Sequence, residues 1–153
     1  MTGVDWTARY PWIVEGAMAL HADAAVIDAE CCIAADDGVT RFEALHARTD
    51  DASAFAYVFD LLSHDGEDVR ALPLEGRKAR LRGLLSGKRR SGQGILLSEH
   101  LTGDGPAIYA QACKLGLEGI LSKRLGSKYR SGRCSSWIKV KNPKAPGNLR
   151  HAE

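Results

Sequence analysis

Three short segments of this 153-residue chain carry residue types that could do phosphate chemistry. In Asp28-Ala29-Glu30, an extended backbone would project both carboxylates from one face about 7 Å apart, because side chains alternate along a strand. Acids placed that way can bind a divalent cation, hydrogen-bond a sugar hydroxyl or shift each other's proton affinity, and they equally fit the solvated face of an ordinary strand. In Trp137-Ile138-Lys139-Val140-Lys141 the same alternation sets Trp137, Lys139 and Lys141 on one face, with Ile138 and Val140 expected to face the core. Two neighbouring lysines suit a polyphosphate and the charge that develops on it, although lysines on an edge strand also deter aggregation. The third segment, Glu118-Gly119-Ile120-Leu121-Ser122-Lys123, puts an acid at the start of a strand that follows a helix, which is also a common boundary residue.

The elements that must position these residues are legible from periodicity. Pro11 is well placed to open a helix over about 11–21, with Trp12, Ile13, Ala17 and Leu20 at helical spacing against a sheet. Ala25 to Ala35 is an apolar strand ending at the turn signal Asp36-Asp37-Gly38, and 42–48 is a short helical or irregular segment. Phe55 to Leu62 reads as a strand that places Tyr57, Phe59 and Leu61 on one side, followed by the turn Ser63-His64-Asp65-Gly66. From Leu74 to Leu85, one stripe of leucines predicts a surface helix, with Arg77, Lys78, Arg80 and Arg82 around the rest. Gly94 to Glu99 is extended, Asp104-Gly105-Pro106 starts a helix that Gly116 ends, and Leu117 to Lys123 resumes strand. Lys128 to Ser135 is a loop, and Ser136 to Lys141 is the last strand. The expected class is α+β, with mainly antiparallel sheets flanked by helices, over residues 1–143, and a tail over 144–153.

Composition excludes several classes. Hydrophobic residues at 44% and charged residues at 26% are those of an ordinary globular domain. No apolar run approaches the roughly 18 residues of a membrane span, and Met1 to Trp6 has no signal-peptide character, so a cytoplasmic protein without membrane partners is expected. The cysteines Cys31, Cys32, Cys113 and Cys134 contain no C-x-x-C pair and show no ligand spacing to histidine, which argues for reduced thiols rather than zinc. The net charge of +2 hides an asymmetry: nine of the 21 cations lie between Gly119 and Arg150, where there is no acid. With a second acid-free cluster from Arg77 to Arg90, this composition points to a phosphate-bearing partner, as well as to simple solvated faces.

Taken together and in order, the three segments resemble the adenylation domain of ATP-dependent DNA ligases, most closely the bacterial ligase D type of end joining. The family's aromatic-rich element is matched by Tyr57-Val58-Phe59-Asp60-Leu61-Leu62, and the loop Tyr129-Arg130-Ser131-Gly132-Arg133 before Trp137 is also similar. The similarity runs with few gaps from Asp5 to Pro143, although Ala29 stands where the family carries glycine. The resemblance implies a partial nucleotidyltransferase (ATP-grasp-like) domain with ATP and Mg2+ as cofactors. It implies that Glu30 contacts the nucleotide sugar, Phe59 stacks on adenine, Glu118 helps hold the metal, and Lys139 and Lys141 bind the triphosphate. Lys123, Arg124, Lys128, Arg130 and Arg133 are the expected contacts to DNA or phosphate.

The family's nucleophile lies in a Lys-x-Asp-Gly-x-Arg segment, and none of the eight lysines of this sequence is followed by x-Asp-Gly. Without that amine no phosphoramidate can form. The resemblance therefore implies a ligase fragment, truncated before the nucleophilic motif and lacking the oligonucleotide-binding domain, that seals no nicks by itself. The alternatives are a non-catalytic nucleotide- or DNA-binding remnant and one half of a split ligase. Weak DNA binding and a separate N-terminal ligase fragment are the expected partnerships.

Overall fold

The computed structural model describes residues 3–33, 51–86 and 94–145. Its elements are α1 (Pro11–Met18), β1 (Ala25–Cys32), a 3-10 turn (Asp51–Ser53), β2 (Phe55–His64), β3 (Glu67–Asp68), α2 (Leu74–Ser86), β4 (Ile95–Leu97), α3 (Gly105–Lys114), β5 (Gly119–Lys123) and β6 (Trp137–Lys141). Among the described residues they form an α+β fold with two sheets. The larger is built on β2, which pairs antiparallel with β1 on one side, and on the other with β3 near His64 and with β4, in parallel, near Ala56. The smaller is the antiparallel β5–β6 ribbon.

The long run Phe55–His64 becomes the central strand because it is rich in aromatic and aliphatic residues and can bury one face while its backbone is paired on both edges. Its Ala56, Val58 and Leu61 join Val69, Ile95 and the α2 residues Leu81 and Leu84 in the core. Each large aliphatic side chain so buried contributes about 1.5–3 kcal/mol. The turn after β2 needs a positive φ at both central positions, supplied by Asp65 (φ 47) and Gly66 (φ 84), which suits a tight hairpin. The Asp65 carboxylate then accepts the amides of Asp23 at 2.8 Å and Ala24 at 3.0 Å and fixes the entry to β1. Asp104 caps α3 by accepting the Ala107 amide, with Pro106 in the first turn where its missing N–H costs nothing.

Four expectations are corrected here. The first helix ends at Met18 rather than near 21. Leu61 does not share a side of β2 with Tyr57 and Phe59 as expected: it joins Ala56 and Val58 in the core, while Tyr57 and Phe59 are half-buried. The β1–β2 register slips twice, so Tyr57 opposes Glu30, Leu61 opposes Ile27, and Phe59 falls at a break in the ladder. Arg77, expected on the solvated side of α2, is wholly buried with Leu74, Leu81 and Leu84. Ile138, expected in the core, is 58% exposed, whereas Val140 on the same face is half-buried, so the packing of α3 against the ribbon does not extend over Ile138. The turn at Asp36-Asp37-Gly38, the segment 42–48 and the cations Lys88, Arg89 and Arg90 lie outside the described residues.

Candidate functional site

The two sheets meet through polar side chains. On β1, Asp28 lies opposite Asp60 of β2, and Glu30 lies opposite Tyr57. Asp28 accepts the Tyr129 hydroxyl at 2.9 Å, and Asp60 is bonded by Arg77 of α2 and by Lys123 of β5. Neighbouring carboxylates thus remain compatible because each receives its own donor.

Arg77 is the centre of this junction. Its Nε donates to Asp60 Oδ1 at 2.7 Å, its Nη2 to Oδ2 at 3.0 Å, and its Nη1 to the carbonyls of Leu72 at 2.6 Å and Ser127 at 2.8 Å. The loop that carries Ser127 is held a second time where Glu75 of α2 accepts the Gly126 amide, and a third where the Tyr129 amide donates to the Arg70 carbonyl. Those bonds orient the ribbon that follows. The Tyr129 ring meets Trp137 edge-on at 5.3 Å, and burial, reinforced by the bond to Asp28, pushes its phenol up to about 12.

In the ribbon, Lys123 pairs with Trp137, Leu121 with Lys139 and Gly119 with Lys141, so the three lysines share one face. Lys123 shows that this face turns toward the large sheet: its ammonium lies 3.8 Å from the centre of the Trp137 ring, 4.8 Å from that of Phe59 and 3.4 Å from Asp60 Oδ2. Burial lowers its affinity for a proton, an effect opposed by Asp60. Lys139 and Lys141 are exposed. The strand can open there only because residue 119 is glycine. Its φ is +151, and a Cβ would strike the Val140 carbonyl and stand 2.9 Å from Lys141 Cα. The ribbon's end is secured by the Tyr109 hydroxyl, which donates to the Lys141 carbonyl at 2.9 Å, and by Asn142, whose amide donates to the Glu118 carbonyl at 2.7 Å.

The residues singled out on sequence are therefore distributed over two facing sheets. Glu30, exposed, and Phe59, half-buried, stand on the larger one; Lys139, Lys141 and the exposed Glu118 belong to the smaller. Lys123 joins them by touching Phe59. Of the expected surface cations, Arg124, Lys128, Arg130 and Arg133 are exposed, whereas the Lys123 side chain is only 10% exposed. Lys128 and Arg130 also line an open hollow with Arg70, whose guanidinium is engaged by Asp68. No cluster of three or more His, Cys, Asp or Glu side chains suited to a metal occurs among the described residues. The exposed carboxylates of Glu30 and Glu118 are hard oxygen donors, the type Mg2+ takes one or two of beside phosphates and water.

Sequence reasoning missed the Asp28–Tyr129 and Asp60–Arg77 bonds. A signal was present for the second. Asp60 sits inside an apolar strand, and Arg77 falls on the helical stripe of Leu74, Leu81 and Leu84, so each implied a buried partner.

Comparison with known proteins places this geometry. Residues 2–141 match the family model described as the ATP dependent DNA ligase domain. The chain is 41% identical over 142 residues to the multifunctional non-homologous end joining protein LigD of Pseudomonas aeruginosa, covering 91% of this chain and 17% of that protein. It superposes with TM-score 0.74 and 32% identity on the ligase domain of Mycobacterium tuberculosis LigD, covering 92% of this chain and 46% of that one. A mycobacterial DNA ligase D complexed with ATP and MES aligns equally well, at TM-score 0.74 over 92% of this chain. The chain spans about a sixth of the length of the LigD relative and under half of either solved ligase.

Proposed function

The chain belongs to the ATP-dependent DNA ligase family, and from that premise we propose that it contributes the ATP- and metal-holding part of an adenylation site. The observation that carries this reading is the Lys123 contact with Phe59, which sets the lysine-bearing face of the ribbon against the acid-bearing face of the large sheet. Phe59 offers a half-buried ring for the adenine, and Glu30 on the neighbouring strand reaches the sugar. Lys139 and Lys141, as exposed cations on the facing ribbon, hold the triphosphate by offsetting its charge. Glu118, at the ribbon's start, supplies a carboxylate to Mg2+. The metal, when bound, neutralises phosphate charge and favours departure of pyrophosphate.

Covalent transfer of AMP needs a lysine nucleophile, and this sequence has no Lys-x-Asp-Gly segment. The reading is therefore reversible ATP binding by this stretch, with nick sealing in DNA end joining belonging to a larger ligase assembly. Arg124, Lys128, Arg130 and Arg133 give that assembly sequence-independent phosphate contacts to DNA.

Labelled ATP with Mg2+ tests the reading. Label retained by the native chain and released on denaturation, with retention lost in Lys139→Met and Lys141→Met, supports it. A label that survives denaturation on a lysine of this chain, or no retention at all, overturns it.

A further inference from the structure

The ammonium of Lys123 has one contact from each of three directions. Trp137 comes from the ribbon at 3.8 Å, Phe59 from the large sheet at 4.8 Å, and Asp60 from the same sheet at 3.4 Å. Two of these partners are braced from elsewhere in the fold. Trp137 is braced by the Tyr129 ring, Tyr129 is tied to Asp28, and Asp60 is gripped by Arg77. Phe59 falls where the β1–β2 register slips, so no residue of β1 opposes it, and its backbone is held instead through its carbonyl, which accepts the Lys78 ammonium at 3.4 Å.

We propose that Lys123 is a positioning residue that clamps the Phe59 ring to Trp137 across the gap between the sheets, and so fixes the aromatic surface on which the adenine of ATP stacks. The inference rests on the nucleotide-binding reading above and assigns Lys123 to the base, not to the phosphates. An ammonium enclosed to 10% exposure and engaged by a carboxylate and two rings has little reach toward a triphosphate, whereas Lys139 and Lys141 on the same face are exposed. A desolvated cation over an aromatic face is attracted to it, so the Lys123 ammonium favours one placement of the Phe59 ring relative to Trp137. Removing the charge leaves Asp60 its two bonds from Arg77, so the junction of β2 with α2 persists while the two rings lose their common partner.

The test compares ATP with inorganic triphosphate, each with Mg2+, by titration calorimetry on the full 153-residue chain. The wild type is expected to prefer ATP. In Lys123→Met, triphosphate affinity is unchanged while the preference for ATP falls about tenfold, the scale of one lost base–aromatic stack. Lys123→Arg retains the preference, and Lys139→Met weakens both ligands together. Equal weakening of both ligands by Lys123→Met makes Lys123 a phosphate ligand, which sinks this inference and leaves the nucleotide reading standing. A wild type that binds neither ligand, or binds them equally, removes the reading and the inference with it. If Lys123→Met does not fold, the wild-type ε-methylene resonances of Lys123, shifted by the two rings, decide the matter. They move with ATP and not with triphosphate if Lys123 serves the base, and movement with triphosphate alone contradicts it.

Discussion

Arg77 grips Asp60 at two points, Nε to Oδ1 at 2.7 Å and Nη2 to Oδ2 at 3.0 Å, with both side chains shut off from solvent. The same guanidinium also bonds the carbonyls of Leu72 and Ser127, so strand β2, helix α2 and the loop leading into the ribbon converge on it. The family's aromatic-acid pair, Phe59-Asp60, is thereby divided between two tasks. The acid anchors the fold, and the aromatic ring meets the Lys123 ammonium at 4.8 Å.

Arg77→Met is expected to destabilise the chain by about 3–5 kcal/mol, because it leaves a buried carboxylate without its main partner. Arg77→Lys recovers only part of that loss, since an ammonium cannot reproduce a planar two-point bond and two further carbonyl bonds. Urea denaturation of the three proteins measures the difference, and a loss below 1 kcal/mol in Arg77→Met would show the junction to be dispensable.

Tyr129 provides a pH signature. Its phenol is raised to about 12 in the folded chain, against an ordinary value near 10. A group whose folded pKa is raised contributes stability that is fully present below its unfolded value and is lost as pH climbs through the folded one. The Tyr129 contribution should therefore hold up to about pH 10 and disappear toward pH 12. Comparing denaturation of the wild type with Tyr129→Phe across that window isolates it, and the difference between the two proteins should shrink as pH rises.

The positive φ of Gly119 and the close Val140 carbonyl leave no room for a methyl group. Gly119→Ala is expected to cost roughly 2 kcal/mol or more and to unravel the ribbon first. Amide hydrogen exchange should show protection lost over 119–123 and 137–141 and kept over β2. Uniform loss across both sheets would mean that the ribbon is not an independent weak point.

The exposed cations Arg124, Lys128, Arg130 and Arg133 should contribute to DNA affinity only through phosphate charge. Neutralising any one that contacts DNA weakens binding to all sequences alike and lowers the salt slope by about one. Fluorescence anisotropy on two unrelated duplexes at several salt concentrations tests this, and a sequence-selective loss would contradict it.

Much of the fold could be read before the structure because hydrophobic period and punctuation agree with it. Both long helices and the strands at β1, β2, β5 and β6 lie where the pattern places them, and Asp104 and Asp65-Gly66 act as the cap and turn their types imply. The family was legible as ordered motifs, and alternation in the last strand sets Lys139 and Lys141 on one face as expected. Three features escaped that reading for a common reason: they depend on contacts between distant segments. A register slip turns Leu61 into the core, away from the side of Tyr57 and Phe59 that alternation predicts. A buried acid draws Arg77 inward from a run that looks solvated. Lys123 leaves the basic surface because Asp60 and two rings wait for it between the sheets. Charge and periodicity are local properties, and the pairings of Asp60 with Arg77 and Lys123, separated by 17 and 63 residues, are not local events.

The central claim is that the gap between the two sheets is a nucleotide site, and photo-crosslinking with an azido-ATP derivative tests it most directly. The account predicts that label, mapped by mass spectrometry, falls within 57–62 or on the ribbon between Gly119 and Lys141, and that excess ATP prevents it. Label confined to α1 or α2, or insensitive to competing ATP, would contradict the assignment.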